Sequence, residues 1–242
     1  MKETLRADQL LVARGLFESR AKAQAAIEAG NVLANGKVVR KVSEQIAENA
    51  EIVASPAHPY VSRGGLKLEA ALDHFKINPS GKICLDVGAS TGGFTELLLA
   101  RGAAKVYAVD TGTGQLHPRV KSDPRVVSLE QTDIRKLDEV AMPDDAQLIV
   151  IDVSFISLEL VLPQALAFAA PHAELIALIK PQFEAGREHV KKGIVRDPEV
   201  HMAVCQRVEL LVGRQGWRLR GTIASPVLGG DGNAEFLLYA EH

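Results

Sequence analysis

Four charged residues stand where packing alone would not place them. Asp152 closes the apolar run Leu148-Ile149-Val150-Ile151, and Lys180 follows Leu178-Ile179 and precedes Pro181. A charge at the end of a buried strand is costly unless it pairs. Lys67 sits in Ser62-Arg63-Gly64-Gly65-Leu66-Lys67-Leu68, and Glu235 in Gly232-Asn233-Ala234-Glu235-Phe236. An amine and a carboxylate at consecutive strand ends can hold and move a proton. Each residue also has a plain structural reading. Lys67 is then a solvated helix residue, Glu235 a strand-edge charge, and Asp152 with Lys180 an ion pair.

A second feature is the loop Asp86-Val87-Gly88-Ala89-Ser90-Thr91-Gly92-Gly93-Phe94, between an apolar strand and a helix. Glycines let the main chain turn sharply and approach a ligand with no Cβ in the way. Asp110 ends the next strand, where an acid accepts ribose hydroxyls. A dinucleotide enzyme uses the same arrangement, and a glycine turn can also hold no ligand. Two details favour S-adenosyl-L-methionine. Asp86 opens the loop, repelling a diphosphate and welcoming a cationic amino-acid group. Ser90 stands where Gly-x-Gly-x-x-Gly has its central glycine. Asp133 follows the third strand, within reach of an adenine amino group. The expected cofactor residues are Asp86, Gly88, Ser90, Gly92, Gly93, Phe94, Asp110 and Asp133.

The elements that must position these residues alternate. Strands are expected at 82–87, 105–109, 126–129, 147–153 and 174–179, and helices at 66–75, 94–101, 158–169 and 198–215. Segments 217–225 and 235–239 read as a closing antiparallel pair. Strands apolar on both faces, alternating with helices, indicate an α/β fold with a doubly wound, mostly parallel, Rossmann-like sheet. Such sheets bind ligands at the carboxyl ends of their strands, at the switch point.

Two closely spaced prolines in Ser55-Pro56-Ala57-His58-Pro59-Tyr60 mark a boundary. A small α+β unit precedes it. Its expected elements are a helix at 6–14 ending at Gly15, and a helix from the N-cap Ser19 to 29, stopped by Gly30. A hairpin follows at 31–39, turning on Asn35-Gly36, then a strand at 51–54.

The 242 residues allow one large domain or a large and a small one. A net charge of −2 supplies no global field for nucleic acid, so any RNA contact needs a local patch. Two cysteines far apart indicate a reduced, intracellular protein, and the scattered histidines indicate no metal site. The chain starts Met1-Lys2-Glu3-Thr4-Leu5 with no apolar signal core, and no run reaches the roughly 20 apolar residues of a membrane helix. A cytoplasmic protein with no membrane partner is expected. Nothing in the sequence fixes its oligomeric state.

The Lys-Asp-Lys-Glu set, the Ser-Arg-Gly-Gly-x-Lys-Leu segment and the Asp-Val-Gly-x-Ser-x-Gly-Gly-Phe loop together resemble the TlyA (hemolysin A) family over essentially the whole chain. That family comprises ribosomal RNA ribose 2′-O-methyltransferases with an FtsJ-like catalytic domain. The resemblance implies a methyltransferase domain over 59–242 and an RNA-binding domain over 1–58. It implies a catalytic tetrad of Lys67, Asp152, Lys180 and Glu235, a cytidine ribose as acceptor, and ribosomal RNA or ribosomal subunits as partner. In such a tetrad Lys180 would take the hydroxyl proton. An amine acts as a base only where burial and a neighbouring cation, here Lys67, favour its neutral form. Asp152 would orient Lys180 and favour the sulfonium, while Lys67 and Glu235 align the ribose.

The small unit resembles the RNA-binding domain of ribosomal small-subunit protein four, in Arg14-Gly15-Leu16, Ser19-Arg20-Ala21-Lys22-Ala23 and Gly30-Asn31-Val32 leading to Asn35-Gly36-Lys37. Arg14, Arg20, Lys22 and Lys37 would then form a phosphate-binding face. With 5% aromatic residues, shape and backbone readout are expected over base stacking. The polar segment 184–197, with Arg187, His189, Lys191, Lys192 and Arg196, reads as an RNA-contacting lid or a plain surface loop. Gly229-Gly230-Asp231-Gly232-Asn233 reads as a flexible turn beside Glu235. Other classes are a membrane-active hemolysin, opposed by the missing membrane helix and signal, and a noncatalytic RNA-binding factor, opposed by the intact tetrad.

Overall fold

The computed structural model describes residues 4–229 and 232–242, so Met1, Lys2 and Glu3 of the expected leaderless start and Gly230 and Asp231 of the glycine turn lie outside the described residues. The chain forms two compact units, Met1–Pro59 and Tyr60–His242.

The first unit contains β1 (Thr4–Arg6), α1 (Ala7–Ala13), α2 (Arg20–Glu28), β2 (Val32–Ala34), β3 (Lys37–Val38), β4 (Gln45–Ala47) and β5 (Ile52–Ala54). Ser19 caps α2, its Oγ accepting from the Lys22 amide at 3.3 Å. Asn35 and Gly36 both take positive φ, 49° and 75°, as a type I′ hairpin turn requires. Leu10, Leu11, Ala23, Ile27 and Val32 form the core. β1 and β4 pair antiparallel and were not expected. Three-residue strands carry no readable period, and their partners lie some forty residues apart.

The second unit contains α3 (Gly64–Phe75), β6 (Ile83–Val87), α4 (Gly93–Ala100), β7 (Lys105–Val109), α5 (Pro118–Lys121), β8 (Val126–Leu129), β9 (Ala146–Ile151), α6 (Leu158–Leu166), β10 (Ala169–Ile179), α7 (Pro181–Glu184), α8 (Pro198–Arg214), β11 (Arg218–Ala224) and β12 (Phe236–Glu241). The seven-stranded sheet runs β11-β12-β10-β9-β6-β7-β8. β6 to β10 pair parallel, and β12 pairs antiparallel with both β10 and β11. Successive residues of β9 enter opposite layers. Ile149 and Ile151 pack with α6 and α8 residues, whereas Leu148 and Val150 pack with α3 and α4 residues. All four have no exposed surface, and each such burial contributes about 1.5–3 kcal/mol.

β10 begins at Ala169, five residues before the expected start, and shifts register between Ala169 and Glu174. α5 and α7 were also unanticipated. Each has proline in its first turn, the position proline favours.

Candidate active site

The chain runs outward from β6 through β7 to β8, then returns to lay β9 on the other side of β6. This reversal puts the carboxyl ends of β6 and β9 side by side, where doubly wound sheets bind ligands. Val87 O accepts from the Asp152 amide at 2.9 Å, and the Gly88 and Ala89 amides both donate to Val109 O. A cleft of about 390 Å³ opens here, lined by Gly88, Ser90, Asp110, Gln115, Asp133, Ile134, Asp152, Ser154 and Phe155 among others. A second cleft of about 250 Å³ is lined by Ser62, Arg63, Lys67, Ser90, Gly93, Phe94, Asp152, Ser154 and Lys180 among others. Gly88, Ser90, Asp152 and Ser154 line both, so the two spaces share a wall.

Gly88 has φ 84°. A Cβ there would lie 2.4 Å from the Asp152 main-chain oxygen. Gly93 meets Ser62, whose Oγ would be 2.1 Å from an added Cβ. Gly92 differs, because a Cβ on it would strike Leu116 and Val120 rather than a cleft. It turns the chain into α4 with φ 95° and lines neither of the two clefts.

The three acids sit differently. Asp110 lines the first cleft and grips the loop, its Oδ2 accepting from the Ser90 amide at 2.8 Å and its Oδ1 from the Gly112 amide at 2.7 Å. Asp133 also lines it, but Arg135 engages both carboxylate oxygens. That guanidinium, against the weaker opposing effect of burial, holds the carboxyl below its usual range. Asp86 corrects the expectation of a direct cationic contact. It has no exposed surface and lies beneath the loop, not on either cleft wall. Thr95 Oγ1 donates to its Oδ2 at 2.6 Å, and Oδ1 has no hydrogen-bond partner. Burial pushes its carboxyl up to about 7, with the Thr95 bond opposing.

The four charged residues form two ion pairs. Lys67 Nζ donates to Glu235 Oε2 at 2.5 Å, and both are buried. Lys180 Nζ lies 2.5 Å from Asp152 Oδ1, close enough for charge pairing though not aligned as a hydrogen bond. Lys67, Asp152 and Lys180 line the second cleft together. Glu235 reaches it through Lys67.

Sequence reasoning missed four residues. Ser154 Oγ accepts from Lys180 Nζ at 2.9 Å. Phe155 is 90% exposed, has φ 63°, and places its ring 4.9 Å from that of Phe183. Ser154 and Phe155 lie two and three residues after the strand-ending Asp152, a position that should have drawn notice. Glu184, read as the start of a polar loop, is buried and accepts from Leu158 N at 2.7 Å and Ser157 Oγ at 2.8 Å. Asn233, read as part of a flexible turn, is 2% exposed. Its Nδ2 donates to Gly193 O at 2.9 Å and its Oδ1 accepts from Val195 N at 3.1 Å, tying segment 193–195 to the approach of Glu235.

In the first unit, Arg14 donates to the Ala50 and Glu48 carbonyls, and Arg20 pairs with the buried Asp8 at 2.6 Å. Lys22 pairs with Glu18 one turn away, and Lys37 is exposed on the hairpin. Three of the four expected phosphate ligands thus also have partners inside the unit.

Residues 60–242 match the description FtsJ-like methyltransferase, and residues 5–52 match the S4 domain. The 16S/23S rRNA (cytidine-2′-O)-methyltransferase TlyA of Mycobacterium tuberculosis is 43% identical over 246 residues, 99% of this chain and 90% of the relative. Hemolysin A of Brachyspira hyodysenteriae is 39% identical over 237 residues, 97% of this chain and 99% of the relative. A solved protein from Streptococcus thermophilus that carries a hemolysin label is 42% identical, with TM-score 0.77, covering 100% of this chain and 89% of that one. An S-adenosylmethionine-dependent methyltransferase from Mesorhizobium loti, 15% identical with TM-score 0.53 over 75% of this chain and 100% of its own, shares the fold of the second unit. With this match across the whole second unit, and with relatives named TlyA and hemolysin A aligned over nearly their full length, the chain belongs to the FtsJ-like methyltransferase family and carries an S4 domain ahead of the catalytic one.

Proposed function

We propose that this chain methylates the ribose 2′-oxygen of a cytidine in ribosomal RNA, using S-adenosylmethionine. The observation that carries the reading is the wall of Gly88, Ser90, Asp152 and Ser154 shared by two clefts. One cleft has the size of a nucleoside site and the acids Asp110 and Asp133. The other holds two lysines and an acid. The missing side chain at Gly88 lets the main chain of Asp152 close against the loop at their junction.

Gly88, Ser90, Asp110 and Asp133 would hold the cofactor, with Gly93 and Phe94 beside the second cleft and Asp86 supporting the loop from below. When bound, S-adenosylmethionine supplies an electrophilic methyl group, which bonds to the acceptor oxygen as its bond to sulfur breaks and leaves the electron pair there. Lys180, in its neutral amine form, receives the proton leaving the hydroxyl. Asp152 orients Lys180 and favours positive charge at the junction. The Lys67–Glu235 pair holds the far side of the cleft, where it aligns the ribose.

The S4 domain supports an RNA partner, reached here as free ribosomal RNA or as an assembled subunit. Cytoplasmic location follows from that substrate. The hemolysin label of some relatives gains nothing from this chain's helices, for among the described residues none is long and apolar enough to cross a membrane.

The test is transfer of labelled methyl from S-adenosylmethionine to unmodified ribosomal RNA or subunits, followed by nuclease digestion and mass spectrometry. The reading expects label on the ribose of a cytidine. Label on a base, or no transfer to either substrate, overturns it.

A further inference from the structure

Lys180 is held from one side by a single turn. Asp152 Oδ1 lies 2.5 Å from its Nζ, and Ser154 Oγ accepts a hydrogen bond from it at 2.9 Å. Both partners come from the stretch that leaves β9. An amine that must receive a proton works only if its lone pair points at the hydroxyl that gives the proton up, and a four-carbon side chain is otherwise free to swing. One partner fixes a distance, whereas two partners two residues apart fix a direction.

The turn that carries Ser154 is itself fixed. Phe155 adopts φ 63°, a conformation a bulky residue rarely takes, and this bends the chain directly after Ser154. Beyond the bend, Ser157 Oγ and Leu158 N both donate to the buried Glu184. Glu184 ends α7, whose N-cap is Lys180. The segment after β9 and the segment after β10 are therefore joined twice, Ser154 to Lys180 at one end and Ser157–Leu158 to Glu184 at the other. Ser154 is exposed and lines both clefts, so its hydroxyl stands where methyl donor and acceptor meet.

We propose that Ser154 is a positioning residue for methyl transfer: its hydroxyl, with Asp152, aims the Lys180 amine at the acceptor hydroxyl. This rests on the methyltransferase reading above. Because its hydroxyl is engaged by Lys180, Ser154 is assigned to orientation and not to affinity for RNA or cofactor.

The experiment compares the full-length chain with Ser154→Ala, Ser154→Thr and Lys180→Ala. It measures kcat and KM on unmodified ribosomal RNA or subunits, and cofactor affinity by calorimetry without RNA. Misaiming a reacting group costs roughly 10- to 100-fold in rate, so Ser154→Ala is expected to lose that much kcat. Its KM for RNA and its cofactor affinity stay at the wild-type level, and Ser154→Thr, which keeps the hydroxyl, recovers most of the rate. A wild-type kcat in Ser154→Ala overturns the inference. So does an equal loss in the alanine and threonine variants, or a fall in cofactor affinity matching the fall in rate. In each of those cases an active wild type and an inactive Lys180→Ala leave the methyltransferase reading standing. An inactive wild type removes that reading and this inference together.

Discussion

The place a Cβ of Gly88 would take lies 2.4 Å from the main-chain oxygen of Asp152. The ends of β6 and β9 approach so closely that only a hydrogen fits between them. That contact joins the cofactor loop to the strand that carries Asp152 and Ser154.

Gly88→Ala is therefore expected to do two kinds of damage. The left-handed backbone at φ 84° costs about 1–3 kcal/mol with a side chain, and the clash with main chain cannot be relieved by a rotamer. Thermal unfolding should report the lost stability. Calorimetry should report S-adenosylmethionine affinity reduced at least tenfold, because strands β6 and β9 must part.

Asp86 gives a pH signature. Burial raises its carboxyl from 3.8 to about 7. Between those values the folded chain holds a proton that the unfolded chain has released, so stability falls as pH rises through the window. Above about 7 the penalty is complete, on the order of a few kcal/mol. Asp86→Asn keeps the shape and removes the charge. Denaturant unfolding at pH 5 and pH 8 should find the variant more stable at pH 8, and its stability flatter across the window.

The Lys67–Glu235 pair is buried on both sides. Glu235→Ala strands an ammonium and should cost about 3–5 kcal/mol, while the double variant Lys67→Met with Glu235→Leu should recover most of it. Urea unfolding of the two variants beside the wild type gives both costs. Methyl transfer should be lost in both variants, which separates the pair's use from its contribution to stability.

Asn233→Ala leaves the Gly193 carbonyl and the Val195 amide without their partner. An unmet buried polar group, here the Val195 amide, costs about 1–3 kcal/mol, so that amide should exchange with solvent much faster than in the wild type. Unchanged exchange would mean that segment 193–195 holds itself.

Arg20 and Lys37 should part company in RNA binding. Lys37→Ala is expected to lower the slope of log affinity against log salt by about 1, as for one lost phosphate contact. Arg20→Ala should instead lower stability as well, because it removes a partner of the buried Asp8. Filter binding over a salt series, beside a melting curve, distinguishes the two.

The sheet was legible because central strands such as β9 read as apolar runs, and at the sheet's edge side 105–109 and 126–129 match β7 and β8 end to end. The hairpin was legible because Asn35-Gly36 can do little else. β1 and β4 were not, since their signal lies in distant pairing. The charged set was visible as charges closing apolar strands, but who pairs with whom depends on the fold. Asp86 was misread for a reason the sequence holds. Cys84 packs among α3 and α4 residues, and alternation along β6 points Asp86 the same way, toward Thr95 in α4. Ser154 and Phe155 escaped notice because a turn conformation, not a residue pattern, gives them their place.

The central claim is that Lys180 receives the proton of a ribose hydroxyl. Wild type and Lys180→Ala, both shown to be folded and to bind S-adenosylmethionine, are incubated with unmethylated ribosomal RNA or subunits, and ribose methylation is mapped nucleotide by nucleotide. The account predicts a 2′-O-methylcytidine with the wild type and none with Lys180→Ala. Full methylation by Lys180→Ala would contradict it.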